Sequence, residues 1–431
     1  MYRRLAQAPV TMVTERPGQV QHHRWNADRS VLAGCALAVL GVQLAALAVI
    51  SDVSPVGRLA GVMVAVVGTM GLAAASRSTR WWVRGGAELI GGSVALTVGL
   101  ALAPAWYATT GLSYVVVLGL LSLVAGAALL VVGGATLLRP LPRWWRLLAI
   151  PVAFVMVQFV LLPLTMAVYA THPPVTPTTA MPPREAREVS FVTHDGARLA
   201  GWYTAPLNDA VVILLPGSGG EKGSLLDHAR VLAAHGYGTL SLDSRGTGTS
   251  GGVGNAWGWH GSADVAAALD WLAHDMGVPE ERVALLGLSM GGEVALTVAA
   301  EHPRLAGVVA EGVSARVAGD LGYLGTSITE RIQHLDAALM WAIGAMLTDA
   351  PSPPPLRAVV ERASAAQVPM LLIVGDDPAE SGAATILAAA APGMEVWRLP
   401  ETPHIQSLAR HPAEWESRVV PFLHRALGPS S

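Results

Sequence analysis

The chain has 431 residues, of which 52% are apolar and only 14% charged, with a formal net charge of −3. Soluble domains carry about 25% charged residues, so part of this chain belongs in lipid. The slightly acidic balance lacks the basic footprint of a nucleic-acid partner, and the single cysteine, Cys35, excludes an intrachain disulfide.

Five apolar stretches come first, at about 31 to 50, 57 to 76, 87 to 106, 112 to 138 and 147 to 170. Each is near the ~20 residues needed to cross a bilayer core. The second and third are rich in Gly and Ala, which suits close helix packing in a membrane. The fifth carries Pro151, Gln158 and Pro163, which spans tolerate when neighbours satisfy the freed backbone groups. A cleaved signal peptide would have one apolar core, whereas here four more follow.

Arginine in the short connections sets the orientation. Arg3, Arg4, Arg16, Arg24 and Arg29 precede the first stretch, Arg77, Arg80 and Arg84 follow the second, and Arg139, Arg143 and Arg146 follow the fourth. The other two connections hold Arg58 alone. The basic segments alternate, as a five-span chain with a cytoplasmic N-terminus requires. Residues 1 to 29 then form a cytoplasmic basic tail and 30 to 170 a transmembrane domain. Everything after 170 falls outside the cytoplasm.

Residues 171 to 188 hold five prolines among threonines and read as an extended, semi-rigid linker. From 189 short apolar runs alternate with amphipathic ones. Strands are expected at 189 to 193, 198 to 204, 210 to 215, 238 to 242, 282 to 287, 306 to 311, 369 to 374 and 395 to 399. Helices are expected at 223 to 235, 262 to 275, 290 to 301, 382 to 390 and 412 to 427. The alternation implies a mostly parallel sheet with helices on both faces, and Asp195-Gly196 turns an edge hairpin.

Within that pattern, the apolar run from Val283 ends in Gly287-Leu288-Ser289-Met290-Gly291 and leads into a helix. This is the context of a nucleophile elbow, a sharp strand-to-helix turn that exposes a serine. A serine hydroxyl is a weak nucleophile until a base stands beside it. Gly248-Thr249-Ser250-Gly251-Gly252 fits the same spacing, but lies in a Gly, Thr and Ser run that reads as loop.

Together these residues resemble the α/β-hydrolase superfamily over roughly 189 to 428. Leu214-Leu215-Pro216-Gly217-Ser218-Gly219-Gly220 corresponds to the family's His-Gly-x-Gly turn, with Pro216 in place of histidine. The resemblance makes the N–H groups of Ser218 and Met290 the oxyanion donors. Asp243-Ser244-Arg245-Gly246-Thr247-Gly248-Thr249-Ser250 resembles the family's Asp-x-Arg-Gly-x-Gly-x-Ser loop, in which Asp243 and Arg245 would brace one another by an ion pair. His404, between the last strand and the closing helix, stands where the family keeps its histidine. The acid should follow the strand at Met370, where the chain reads Gly375-Asp376-Asp377-Pro378-Ala379-Glu380, one residue short of the family's Gly-x-x-Asp. Asp377 is the first choice, with Asp376 and Glu380 as alternatives.

Residues 313 to 366 fall where family members carry a lid. The stretch Leu335 to Leu347 is too short to cross a bilayer and suits an acyl or aromatic pocket, a membrane surface, or packing within the lid. The expected architecture is an all-α transmembrane bundle of about five helices joined to an α/β-hydrolase domain with a mostly parallel eight-stranded sheet and a helical lid. The expected activity is cleavage of an ester, thioester or amide by Ser289, His404 and Asp377 through an acyl-enzyme. The expected partners are the lipid bilayer and a small-molecule or lipid acyl substrate. No metal or organic cofactor is implied. An acyltransferase on the same fold, or a catalytically silent scaffold, is the alternative.

Overall fold

The computed structural model describes residues 17 to 428 apart from Asp52. Arg3, Arg4 and Arg16 of the basic tail lie outside the described residues. Among the described residues, five helical segments are long and apolar enough to cross a membrane. They are α1 (Pro17–Ile50), α2 (Pro55–Ser76), α3 (Trp81–Thr110), α4 (Tyr114–Leu138) and a broken fifth, Trp145–Thr171. In the fifth, α5 (Ala149–Met156) and α6 (Leu162–Thr171) flank a π turn at Val157–Leu161. Pro163 has no N–H to donate and its ring crowds the carbonyl one turn back, so regular α bonding fails just ahead of it.

The closest helix approach is between α3 and α4. A Cβ on Gly126 would lie 2.5 Å from the Leu96 nitrogen, and one on Gly92 would lie 2.9 Å from that of Leu130. Tight glycine packing thus belongs to the third and fourth helices rather than the second and third. Among its residues α2 buries only Ala65, Thr69 and Ser76.

The C-terminal part is built on eight strands: β1 (Arg187–Val192), β2 (Arg198–Thr204), β3 (Val211–Leu215), β4 (Gly238–Leu242), β5 (Val283–Leu288), β6 (Gly307–Glu311), β7 (Met370–Val374) and β8 (Glu395–Arg398). Their spatial order is β1-β2-β4-β3-β5-β6-β7-β8. Strands β3 to β8 are parallel, and the β1–β2 hairpin adds an antiparallel edge through β2 and β4. Strands β3 to β7 are buried along their whole length. They read as unbroken apolar runs because parallel strands are covered on both faces.

On one face lie α8 (Gly261–Asp275), α9 (Met290–Glu301), α11 (Leu356–Ala365) and α12 (Pro378–Ala390). On the other lie α7 (Leu226–Ala234) and α14 (Pro412–Leu427), with Trp415 fully buried. The short α13 (Ser407–Arg410) precedes α14. The segment 313 to 366 divides in two. Its α10 (Ile328–Ala345) stands apart from the sheet, started by a capping box between Ser327 and Glu330. Its α11 instead packs Leu356, Val359, Val360 and Ala363 into the core, so the last part of the expected lid is a layer of the sheet domain.

Candidate active site

Strand β5 ends at Leu288 and α9 begins at Met290, so Ser289 alone makes the turn, at φ 53° and ψ −119°. Residues with a side chain seldom adopt that left-handed φ. The turn exists because the chain is stripped of side chains around it. A Cβ on Gly287 would stand 2.1 Å from the Gly291 carbonyl oxygen, and one on Gly291 2.4 Å from that of Leu215. The Ser289 N–H donates to the Glu311 carbonyl at 2.7 Å, tying the elbow to the end of β6.

The second Gly-x-Ser-x-Gly has no such geometry. Ser250 accepts the Ala200 N–H at 2.9 Å and donates to the Asp243 carbonyl at 3.1 Å, which locks a loop to β2.

The loop after β8 brings His404 to Ser289, with Nε2 2.9 Å from Oγ. The other ring nitrogen, Nδ1, lies 2.5 Å from Oε1 of Glu380. An ionised carboxylate only accepts, so Nδ1 carries the proton and Nε2 is left to accept from the serine hydroxyl. Glu380 is 98% buried, its side chain being 2% exposed, and its Oε2 accepts the Gly375 N–H at 2.8 Å.

That carboxylate replaces the one expected. Asp377 is the N-cap of α12, where its Oδ1 accepts the N–H groups of Ala379 and Glu380 at 2.7 and 3.3 Å. A carboxylate so engaged points along its own helix. Asp376 is exposed and holds its loop through its backbone, donating to the Thr402 carbonyl at 2.9 Å. With Pro378 at the first helical position, α12 starts four residues before the sequence pattern put it, and its first turn swings Glu380 back over Gly375 toward the imidazole.

Two further carboxylates shape the site and were not anticipated. Glu311 is buried and accepts the Ser407 N–H at 2.8 Å and the Ser407 hydroxyl at 2.6 Å, clamping the His404 loop to the strand that holds the Ser289 backbone. Glu293, in the first turn of α9, accepts the Ser314 N–H at 3.2 Å. Burial pushes the carboxyl of Glu311 up, and that of Glu293 up to about 7. A Glu ending an apolar strand or opening a helix carries no sequence signal of either role.

The hydrogen bond that His404 donates to Glu380 raises the imidazole pKa above its ordinary 6.5, and the charges of Glu380, Asp377 and Glu311 add to that against partial desolvation. A base must be neutral, so kcat/KM will rise with pH through an apparent pKa above 6.5. A pH–rate profile on a soluble ester checks this, and Glu311→Gln will move the limb downward by removing one of the charges.

Met290 is the first residue of α9, so its N–H has no intrahelical acceptor and points with the positive end of the helix dipole. Gly217 abuts the elbow, a Cβ there falling 3.5 Å from Ser289 Cβ, and Ser218 follows it in an exposed turn. Asp243 and Arg245 do brace their loop, but with other partners. Asp243 receives the Lys222 ammonium at 2.8 Å, the Lys222 N–H at 2.8 Å and the Thr249 N–H at 2.8 Å. Arg245 binds Asp195 at 2.5 Å and Asp264 at 2.6 Å. Lys222, the chain's one lysine, is thus an internal strut.

Residues 164 to 408, more than half the chain, match the family profile described as X-Pro dipeptidyl-peptidase, S15 family. The chain belongs to this family. Among curated proteins, this S15 member is 33% identical over 120 residues to the uncharacterized protein Rv2307c of Mycobacterium tuberculosis, covering 27% of this chain and 42% of that one. It is 33% identical over 127 residues to the polyketide transferase GrgF of a Penicillium species, covering 28% and 43%. The chain thus spans less than half the length of these curated relatives. Among solved structures it resembles the Pyrococcus furiosus esterase Pf2001 at 24% identity and a TM-score of 0.47, covering 60% of this chain and 100% of that one.

Proposed function

We propose that this protein is a membrane-embedded serine hydrolase that cleaves an acyl bond through an acyl-enzyme, with its sheet domain on the extracytoplasmic side. One observation carries the reading: the unbroken run of hydrogen bonds from the Ser289 hydroxyl through His404 to buried Glu380. In it His404 takes the Ser289 proton as Oγ attacks the carbonyl, and Glu380 holds the ring and stabilises the imidazolium. The N–H groups of Met290 and Ser218 stabilise the oxyanion. The imidazolium then protonates the leaving group, and water, activated by the same His404, releases the acyl group and restores Ser289.

Membership of the S15 family supports hydrolase chemistry. The five long apolar helices and the alternating arginines support the membrane placement. Turnover of purified full-length protein on acyl esters of graded length, beside thioesters and X-Pro peptide amides, tests the reaction class. Turnover of none of them, with no fluorophosphonate adduct, sinks the reading. Protease added to intact cells will degrade the C-terminal domain; degradation only after lysis reverses the topology.

A further inference from the structure

The turn that carries the Ser218 N–H does not hold itself. Gly220 donates its N–H to the Gly217 carbonyl at 2.9 Å and so closes the turn, but Ser218 at the tip is exposed and is followed by two glycines. One end of the turn continues β3. The direction of the Ser218 N–H therefore depends on what pins the other end.

That end is pinned by the loop after β4. Lys222 gives its backbone N–H to Asp243 Oδ1 and its ammonium to Asp243 Oδ2, both at 2.8 Å. The remaining ammonium protons meet Thr249 Oγ1 at 2.8 Å and Glu188 Oε1 at 3.2 Å. The Thr247 hydroxyl lies between the carbonyls of Gly220 and Ser244, at 2.9 and 2.8 Å. Lys222 and Asp243 are both buried, so water does little to weaken the pair. Gly248 allows the close fit, since a Cβ there would fall 2.2 Å from Asp243 Cγ.

The loop after β4 is held in turn from the helical bundle. The Gly248 N–H donates to the Thr176 carbonyl at 2.7 Å, and the Ala256 N–H donates to the carbonyl of Ala170, near the end of α6, at 2.8 Å. Ala180 packs on Gly223, where a Cβ would fall 2.7 Å from that of Ala180. At the start of this segment, buried His172 sets Nε2 2.9 Å from Ser51 Oγ, and its carbonyl accepts the Trp106 indole N–H at 3.3 Å. Residues 172 to 180 are thus a strap stitched to the catalytic domain and anchored on the bundle.

We infer that Lys222 is a positioning residue for the oxyanion turn and that the strap, through the loop at Gly248, holds it to that task. This rests on the serine-hydrolase reading above. It adds that stabilisation of the transition state depends on the segment joining the two parts of the chain. An oxyanion donor contributes fully only when it is aimed before the charge develops, and a glycine-rich turn needs an outside brace for that.

The test uses the purified full-length protein. Lys222→Met and Asp243→Asn are combined, so that neither charge is left buried alone. Active sites are counted by fluorophosphonate titration. On a soluble ester, kcat per titrated site will fall about ten- to a hundredfold with KM changed by less than about twofold, and a trifluoromethyl ketone, whose adduct with Ser289 carries the oxyanion, will bind more weakly by the same factor. The acidic limb of the pH–rate profile will stay in place, because His404 and Glu380 are untouched. Fewer titratable sites at unchanged kcat per site, or a rise in KM alone, overturns the assignment. In a second arm, residues 173 to 180 are replaced by an equal length of Gly and Ser, and hydrogen exchange is followed by mass spectrometry. Faster exchange in peptides covering 216 to 222 and 243 to 250, with β5 and α9 as protected as before, supports the strap; unchanged exchange in both peptides rejects it. This arm needs no turnover, so it decides the bracing even if the serine-hydrolase reading fails or the double variant does not fold.

Discussion

Replacing Ser289 by alanine will abolish labelling by a fluorophosphonate and lower turnover by about five to six powers of ten, the scale at which removing the nucleophile of a hydroxyl–imidazole–carboxylate unit acts. Its Oγ makes one hydrogen bond, to His404 Nε2, and the elbow is held by backbone contacts and missing side chains. The variant will therefore fold, and unchanged circular dichroism and thermal melting will show that the loss is chemical. The control is Ser250→Ala. Ser250 shares the glycine spacing but is spent on Ala200 and Asp243. Its removal will leave labelling and rate intact and lower stability by about 1 kcal/mol. If Ser250→Ala were the variant that lost the adduct, the elbow would be in the wrong place.

The elbow and the sheet were legible for the same reason. Central parallel strands are buried on both faces, so stretches such as Val211–Leu215 and Val283–Leu288 announce themselves as short apolar runs ended by Gly, Pro or Ser. Contacts between distant segments were not. Glu311 meets Ser407 across 96 positions, Lys222 meets Asp243 across 21, and Gln158 meets Asp336 across 178. Each rests on how two distant elements are set against one another. No local pattern encodes that.

The lid was half legible. Its capping box, Ser327 with Glu330, marks the start of α10 well ahead of the apolar stretch from Leu335. The amphipathic face of α11, with Leu356, Val359, Val360 and Ala363 inward, marks a core helix that lay inside the expected lid.

Glu380→Gln will lower kcat by about three to four powers of ten while leaving the fluorophosphonate site present but slow to react, and Asp377→Ala will leave kcat within a few-fold. The two side chains are three residues apart and differ in what they touch. Glu380 is buried against Nδ1 and fixes which ring nitrogen is protonated. The amide that replaces it keeps the size but not the charge, so Nδ1 can lose its proton and Nε2 can point its own hydrogen at the serine, the wrong tautomer for a base. The same substitution removes the largest influence raising the His404 pKa, so the acidic limb of the pH–rate profile will fall toward or below 6.5. Asp377 instead caps α12, and its truncation exposes two N–H groups at the helix start. That costs about 0.5 to 2 kcal/mol of stability, visible as a lower Tm at unchanged pH dependence apart from a small shift from the lost neighbouring charge. The pair of variants separates a residue that orients the base from one that starts the helix carrying it. If kcat collapsed in Asp377→Ala and survived in Glu380→Gln, the histidine would be held by the other carboxylate during turnover, and the loop from Gly375 to Glu380 would have to rearrange to allow it.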